Sequence, residues 1–302
     1  MKKVFLFSKH PLALIFAGLM VFSSCQKDNK TGAGTDSNPS LTVDAAQSDA
    51  VSDGQFGDVF DITMGVQASD AGEDIGIGTG AGIIYKPAGS EQTLSPDSVA
   101  RCFTVTVEPK TLHVFPKVVT IDFGSGCLGK DGKLRKGKII STYSGPMFVP
   151  ANTVSTTFED YNVDSFKIEG TLSVENTSTA NAISWTVKVD SGKITNTLNG
   201  FWRKWDGIRE HTQTEGNSTP LNLLDDVYQI TGNAKGANSN SNSWSSTITQ
   251  PLIRKFTCPW IDQGQVKINR NANSAILDFG DGTCDNKATI TINGVSHIIS
   301  LH

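Results

Sequence analysis

The sequence is poor in the side chains on which many enzyme active sites depend. It contains only five histidines, and the four that follow residue 100 have no metal-ligand spacing. There is no Gly-x-Ser-x-Gly elbow, and no nucleophile can be paired with a base from its position. The sequence therefore favours a non-catalytic role and points to no cofactor.

Basic residues are also scarce, since 26 Lys and Arg face 30 Asp and Glu. Three of the basic residues, Lys2, Lys3 and Lys9, lie in an N-terminal segment with the features of a signal peptide. Without that segment, 23 basic residues face 30 acidic ones, a net charge of about −7. Nucleic-acid binding requires a basic surface, so no nucleic-acid partner is expected.

Long apolar runs are missing, with the exception of residues 12–22. This run follows Met1-Lys2-Lys3 and precedes Ser23-Ser24-Cys25, which is the pattern of a secretory signal. It is too short to be interpreted as a membrane-spanning helix. Residues 1–24 are therefore predicted to be a signal peptide.

The residues before Cys25 resemble a bacterial lipobox, with Phe22 where Leu is more usual. The resemblance implies cleavage before Cys25 and acylation of its thiol and its new amino group, which anchors a protein stably in a membrane. Gln26-Lys27-Asp28 resembles the short signal that sends some Gram-negative lipoproteins to the cell surface. The expected location is the outer membrane, on the cell surface or otherwise on the periplasmic face.

Apart from Cys25 there are four cysteines, an even number that suits an oxidising compartment. The stretch Asp278-Phe279-Gly280-Asp281-Gly282-Thr283-Cys284 has an earlier counterpart in Asp122-Phe123-Gly124-Ser125-Gly126-Cys127. A further cysteine, Cys258 or Cys102, stands about twenty residues before the first aspartate of each copy. This repeat predicts the disulfides Cys102–Cys127 and Cys258–Cys284, rather than a zinc site, in two units near 100–145 and 255–302.

The Asp-Phe-Gly turns admit two interpretations. The aspartate is expected to cap backbone N–H groups, and Phe123 and Phe279 are expected to point into the core. Alternatively, Asp278, Asp281 and Asp285 are weak calcium candidates, because carboxylates and loop carbonyls are calcium ligands. Ser125 replaces Asp281 in the first copy, which favours the architectural interpretation.

The chain divides into the signal peptide, a polar tether over residues 25–47, and a β-rich domain over residues 48–302. Residues 48–67 are the one helical candidate, and their apolar residues are expected to pack against a sheet; they are Phe56, Val59, Phe60 and Met64. The glycine-rich residues 76–82 are interpreted as a surface loop. The rest predicts a mainly antiparallel all-β fold, either a β-sandwich or a long curved meander sheet, with one short N-terminal helix.

Several short motifs inside the β region carry local predictions. Asn293-Gly294 predicts a two-residue hairpin turn, and Asp190-Ser191-Gly192 a second hairpin. Residues 238–243 are interpreted as an exposed hairpin tip. The basic residues Lys130, Lys133, Arg135, Lys136 and Lys138 are interpreted as a solvated loop, with an acidic or phosphate-bearing partner as the alternative.

Trp202 and Trp205 are the candidate ligand-binding residues. In a strand they point to opposite faces, so one is expected in the core and the other exposed. The whole pattern resembles outer-membrane lipoproteins of Gram-negative bacteria that carry no known activity. The first hypothesis is a lipid-anchored binding or structural protein with glycan or envelope components as partners. The alternatives are a carbohydrate-active hydrolase and a subunit of a surface assembly.

Overall fold

The computed structural model of the protein describes residues 39–65, 102–129, 131–219 and 225–301. The predicted signal peptide, Cys25, most of the predicted tether and the glycine-rich residues 76–82 lie outside the described residues.

The described part of the chain contains one helix and fourteen strands. They are α1 (Pro39–Gly65), β1 (Thr104–Glu108), β2 (Lys117–Asp122), β3 (Cys127–Leu128), β4 (Leu134–Tyr143), β5 (Thr153–Val163), β6 (Phe166–Asn176), β7 (Ser184–Asn196), β8 (Trp202–Glu215), β9 (Val227–Asn238), β10 (Ser243–Lys255), β11 (Gln263–Arg270), β12 (Asn273–Asp281), β13 (Lys287–Ile292) and β14 (Val295–Ser300).

The strands form one open antiparallel sheet whose order follows the chain from β1 to β14, with the short β3 paired beside β4. This confirms the predicted all-β class with one N-terminal helix. Of the two architectures considered, the structure has the long meander sheet. All described elements, including both cysteine pairs, belong to one compact unit, residues 35–302.

The helix begins at Pro39, nine residues before the predicted start at residue 48. Proline is favoured in the first turn of a helix, where its missing N–H has no intrahelical partner. Residues 39–47 were expected to be tether but form the first turns of α1, and Ala45 and Ala46 are fully buried. Within the described residues no helix is long and apolar enough to span a membrane.

Helix α1 is buried on more than one side because the sheet curves around it. Phe56, Val59 and Met64 are buried, which confirms the predicted packing stripe, and Phe60 packs against the same core. Polar side chains on other faces of the helix are buried as well, among them Ser48, Asp49, Ser52 and Gln55. Ser52 donates to the carbonyl oxygen of Ser48 within the helix, whereas the side chains of Ser48 and Asp49 accept hydrogen bonds from Asn238 and from the sheet.

Asp49 fixes the middle of α1 to the sheet. Its Oδ1 accepts hydrogen bonds from Trp205 Nε1, Trp244 Nε1 and Ser246 Oγ, each at 2.9 Å. Burial raises the pKa of the Asp49 carboxyl, although Arg209 and the two indole donors oppose that rise. The contact joins α1 to β8 and β10 at once and therefore sets the position of the helix.

Two glycines make room for these tryptophans. A side chain at Gly207 would collide with the ring of Trp205, and one at Gly236 would collide with the ring of Trp244. Glycine inside a strand weakens it, but here it allows a large ring to lie flat on the sheet.

Both predicted cysteine pairs are joined, with Cα–Cα distances of 5.2 Å for Cys102–Cys127 and 5.7 Å for Cys258–Cys284. The two turns are capped by the same kind of hydrogen bond. Asp122 Oδ1 accepts from Gly124 N at 2.8 Å, and Asp278 Oδ1 accepts from Gly280 N at 2.9 Å. The phenylalanines that follow these aspartates are buried, as expected.

Of the two hairpins predicted from turn residues, one is confirmed and the other is wrong. Asn293 and Gly294 both have positive φ and join β13 to β14, which confirms that hairpin. The hairpin predicted at residues 190–192 is wrong, because β7 runs straight through them. The ladder shifts register there on both sides, and Ser191 N donates to Asp206 Oδ1. Three residues that are typical of a turn can thus form a β-bulge inside a continuous strand.

The hairpin predicted at residues 238–243 joins β9 to β10, but it is only partly exposed. Asn238 and Asn242 are buried, and their side-chain amides donate to Asp44 Oδ2 at 2.8 and 3.2 Å. Asn242 also donates to the carbonyl oxygen of Leu41. The β9–β10 turn therefore holds the first turns of α1, and only its middle residues are exposed.

Candidate functional site

A cavity of about 600 Å³ lies beside α1. Its lining comes from one face of α1 between Ala50 and Asp61, the loop Asp131–Lys133, the turn Asp164–Phe166, the loop segment Thr257–Ile261, and Phe279, Asn286 and Leu301. Small-molecule sites in proteins have volumes of roughly 300–1,000 Å³, so the cavity has the size of a ligand site.

The walls of this cavity come from opposite ends of the antiparallel ladder. Residues 131–133 precede β4, and residues 164–166 lead into β6, whereas residues 257–261 and 286 precede β11 and β13. In a flat meander these two sets would be separated by the length of the strands. Twisting of the sheet around α1 brings them to one cavity.

A cluster of ions forms one side of the cavity. Arg135 Nη2 donates to both oxygens of Asp58, at 2.8 and 3.0 Å, and to Asp131 Oδ2 at 2.6 Å. Lys133 Nζ donates to Asp58 Oδ1 at 2.9 Å. Burial alone would raise the pKa of the Asp58 carboxyl, but Lys133 and Arg135 outweigh it and hold the pKa below its usual range.

Two further ion pairs join α1 to the sheet next to this cluster. Arg254 pairs with Asp61 through both of its terminal nitrogens, and Arg209 Nε donates to Asp53 Oδ1 at 3.0 Å. Burial would lower the pKa of Arg254, yet Asp61 raises it above the usual value. Asp53, Asp58 and Asp61 are therefore held in place by the cations with which they pair.

Aromatic and apolar side chains also line the cavity. Trp260 and Phe166 are half-buried, and Phe279 is buried. Trp260 stands two residues after Cys258, whose disulfide to Cys284 joins the β10–β11 and β12–β13 loops. The disulfide therefore restrains the loop that carries Trp260.

A second cavity of about 60 Å³ adjoins the first, and both are lined by Asp53, Gly57, Arg254 and Ile261. His211 borders the smaller cavity, with Phe60 at 4.7 Å between ring centroids. Burial, helped by the charges of Arg254 and Arg209, lowers the pKa of His211 to about 3. The imidazole is therefore neutral at ordinary pH.

The predicted ligand-binding tryptophans do not meet at the large cavity. Trp205 is 2% exposed, and its ring stacks on Phe56 at 5.9 Å. Trp202 is half-buried on the other side of β8, with Lys204 Nζ 5.6 Å above its ring. The tryptophan that lines the cavity is Trp260, which in the sequence is an isolated tryptophan without periodic context.

The three aspartates considered as calcium ligands accept hydrogen bonds from residues close to them in the structure. Asp278 accepts from Gly280 N and from Gln265 Nε2, and Asp281 Oδ1 accepts from the amide and the hydroxyl of Thr283. Asp285 Oδ1 accepts from Lys287 N at 2.7 Å. Among the described residues, no group of three or more His, Cys, Asp or Glu is arranged to hold a metal ion.

The basic cluster is not a uniformly solvated loop. Arg135 and Lys133 are committed to Asp58, and Lys138 pairs with Glu159 at 2.9 Å on the surface. Lys130 lies outside the described residues. The sequence contained no signal for this pairing because Asp58 is 77 residues from Arg135.

Comparison of the chain with protein-family models, with curated proteins and with solved structures finds no match.

Proposed function

We propose that this protein is a lipid-anchored, non-catalytic binding protein of the cell envelope, and that the cavity beside α1 holds its ligand, a glycan. The observation that carries the proposal is the cavity itself, which is lined both by aromatic side chains and by carboxylates held in ion pairs. The lipobox-like residues before Cys25 and the tether signal after it support the anchor and the surface location.

The chemistry of the cavity lining suits a sugar. An aromatic ring offers a flat apolar face to the C–H groups of a pyranose, while ionised carboxylates accept hydrogen bonds from hydroxyl groups. Asp58 and Asp61 are already oriented by Arg135 and Arg254, so ligand binding costs little reorganisation.

The same ion pairs argue against acid catalysis by this cluster. A glycosidase needs one carboxyl group that is protonated at working pH, which requires a raised pKa. The pKa of Asp58 is lowered by Lys133 and Arg135. A hydrolase would therefore have to draw its acid from elsewhere in the chain.

A subunit of a surface assembly is the second candidate. Among the described residues, the edge strands of the open sheet are β1 and β14, and on β14 the side chains of Val295 and Ile298 are exposed. Uncovered edge strands are templates for pairing with another chain. Sedimentation of the purified protein over a range of concentrations distinguishes this role from that of a monomeric binding protein.

The binding role is tested by calorimetry with neutral trisaccharides of glucose, mannose and N-acetylglucosamine. Trp260→Ala should weaken binding of the preferred sugar by at least about tenfold, because it removes a buried aromatic contact. Trp202→Ala is the matched control, since this half-buried tryptophan lies outside the cavity. Trp260→Phe should retain most of the affinity.

Two results would contradict the proposal. One is a lack of binding to every sugar by the folded wild type; the other is loss of binding in Trp202→Ala but not in Trp260→Ala. Release of new reducing ends during the titration would favour the hydrolase instead. For the location, protease treatment of intact cells should degrade the protein, and survival until lysis would count against surface exposure.

A further inference from the structure

The cavity beside α1 is lined by five carboxylates but only two cations. The two cations are already paired, Lys133 with Asp58 and Arg254 with Asp61. Within the described residues, no cation of the lining is therefore left to pair with an anionic ligand. Two guanidinium groups next to the lining pair with two more of its carboxylates, as Arg209–Asp53 and Arg135–Asp131.

Asp164 is the fifth carboxylate of the lining, and it has no ion-pair partner among the described residues. It is an exposed residue of the turn between β5 and β6. Its Oδ1 accepts a hydrogen bond from Leu134 N at 2.9 Å, which fixes the carboxylate at the border of the cavity. The charge of Asp164 is therefore available to a cationic group of a ligand.

Gln55 is a second acceptor of the lining. It lies on α1 one turn before Asp58 and is 3% exposed. Its Oε1 is buried and has no hydrogen-bond partner within the described part of the chain. A buried carbonyl group without a partner costs stability, and such groups are uncommon in native proteins. A donor on a bound ligand would satisfy this oxygen.

Gly57 borders the cavity next to these acceptors. Glycine weakens a helix relative to alanine. A Cβ atom at Gly57 would meet no atom within 4 Å, so close packing does not require glycine at this position. The missing side chain instead leaves this turn of α1 open to the cavity.

We propose that the cavity selects a glycan that carries a protonated primary amino group, such as a glucosamine oligomer, over neutral and acidic sugars. Asp164 pairs with the ammonium group, and Gln55 Oε1 accepts a hydrogen bond from the same sugar chain. An acidic sugar is disfavoured because the cations of the lining are already paired. This inference rests on the glycan-binding role proposed above and adds the class of sugar.

The experiment compares trisaccharides of glucose, glucosamine and glucuronic acid with the same linkage, by calorimetry at a mildly acidic pH that keeps the amines protonated. The glucosamine trisaccharide should bind about fivefold more tightly than the glucose trisaccharide, as expected for one partly exposed ion pair. The glucuronic acid trisaccharide should bind most weakly. High salt should reduce the preference for glucosamine, because it screens the ion pair.

Asp164→Asn should abolish the preference for glucosamine and leave the affinity for the glucose trisaccharide unchanged. Asparagine retains the oxygen that accepts from Leu134 N, so the turn should be preserved. Asp160→Asn is the matched control, since it removes the same charge from strand β5 at a side chain that is 86% exposed and does not line the cavity. This variant should keep the preference.

Gln55→Met replaces the amide by an apolar side chain of similar length. It should weaken binding of the glucose and glucosamine trisaccharides by about fivefold each, because a hydrogen bond to the ligand is lost. It should also raise the thermal unfolding temperature of the free protein, because a buried carbonyl group without a partner is removed. A residue that serves only the fold would not show these opposite changes.

Equal binding of the glucose and glucosamine trisaccharides would overturn the inference and leave the glycan-binding role intact. Tightest binding of the glucuronic acid trisaccharide would do the same, as would loss of the preference in Asp160→Asn as well as in Asp164→Asn. Unchanged affinities in Gln55→Met would remove Gln55 from the site. If the folded protein binds none of the sugars, including the neutral trisaccharides named above, the binding role fails together with the inference.

Discussion

The molecule contains two disulfide hairpins that share one local design. The first runs from Cys102 through β1 and β2 to Cys127, and the second from Cys258 through β11 and β12 to Cys284. Each reaches a capping aspartate followed by a buried phenylalanine. The first aspartate lies about twenty residues after the cysteine in both hairpins.

The spacing from the first cysteine to the aspartate is the same in both hairpins, but the residues between them are divided differently between loop and strand. In the first hairpin, β1 begins two residues after Cys102, and eight residues form the loop between β1 and β2. In the second, four residues separate Cys258 from β11, and only residues 271–272 form the turn to β12. The first hairpin therefore projects an eight-residue loop that exposes Leu112 and Val114, whereas the second carries Trp260 into the cavity wall.

The surroundings of the two phenylalanines also differ between the hairpins. Phe123 is 1% exposed and packs against Phe103 and Tyr161, with ring centroids at 5.7 and 5.8 Å. Phe279 is 7% exposed and borders the 600 Å³ cavity. A repeated motif thus defines a repeated turn, while the neighbouring strands decide whether that turn serves the core or a site.

The largest expected effect is a loss of folding stability on replacement of Phe123, compared with the same replacement of Phe279. Phe123→Ala should lower the free energy of unfolding by about 4 kcal/mol, since it empties a closed aromatic cluster. Phe279→Ala should cost about 2 kcal/mol, because its side chain already borders open space. Urea unfolding of both variants measures the difference. Equal losses would show that the two sites are packed alike and would remove this part of the comparison.

Removal of the disulfides should have a somewhat smaller effect on stability. Closing a loop of about 25 residues contributes roughly 3 kcal/mol, so each double Cys→Ser variant should lose a similar amount. The local consequence should differ. Without Cys258–Cys284, amide hydrogen exchange should accelerate in residues 256–262, and without Cys102–Cys127 it should accelerate in β1.

Each disulfide variant is the control for the other, and hydrogen exchange measured by mass spectrometry reads both. Unchanged exchange in residues 256–262 of the Cys258→Ser, Cys284→Ser variant would mean that the disulfide does not restrain the loop that carries Trp260.

The smallest effect concerns the position at which the two turns differ in charge. The hydroxyl and the amide of Thr283 both donate to Asp281 and hold the pKa of its carboxyl below the usual range. Thr283→Ala removes the hydroxyl donor and should raise the pKa of Asp281 in an NMR titration, while Thr283→Ser should preserve the lowered value. A pKa that stays low in Thr283→Ala would assign the shift to the backbone alone.

Much of the fold could be predicted because it follows from local patterns. Alternation of apolar and polar residues indicated most of the strands, and the Asn293-Gly294 turn gave the last hairpin its register. The bulge at residues 190–192 was missed because a bulge and a turn use the same residue types. The start of α1 was missed because its first turns are stabilised by Asn238 and Asn242 of the β9–β10 turn, which are distant in the chain.

The sequence by itself determined the β class, the two cysteine pairs and the capping role of Asp122 and Asp278. Each of these depends on residues close together in the chain or on a spacing that occurs twice. Only the tertiary structure decided that Arg135 meets Asp58, and that Trp260, Gln55 and Asp164 line one cavity. Those contacts depend on the curvature of a fourteen-stranded sheet around a helix, a property that no short stretch of sequence encodes.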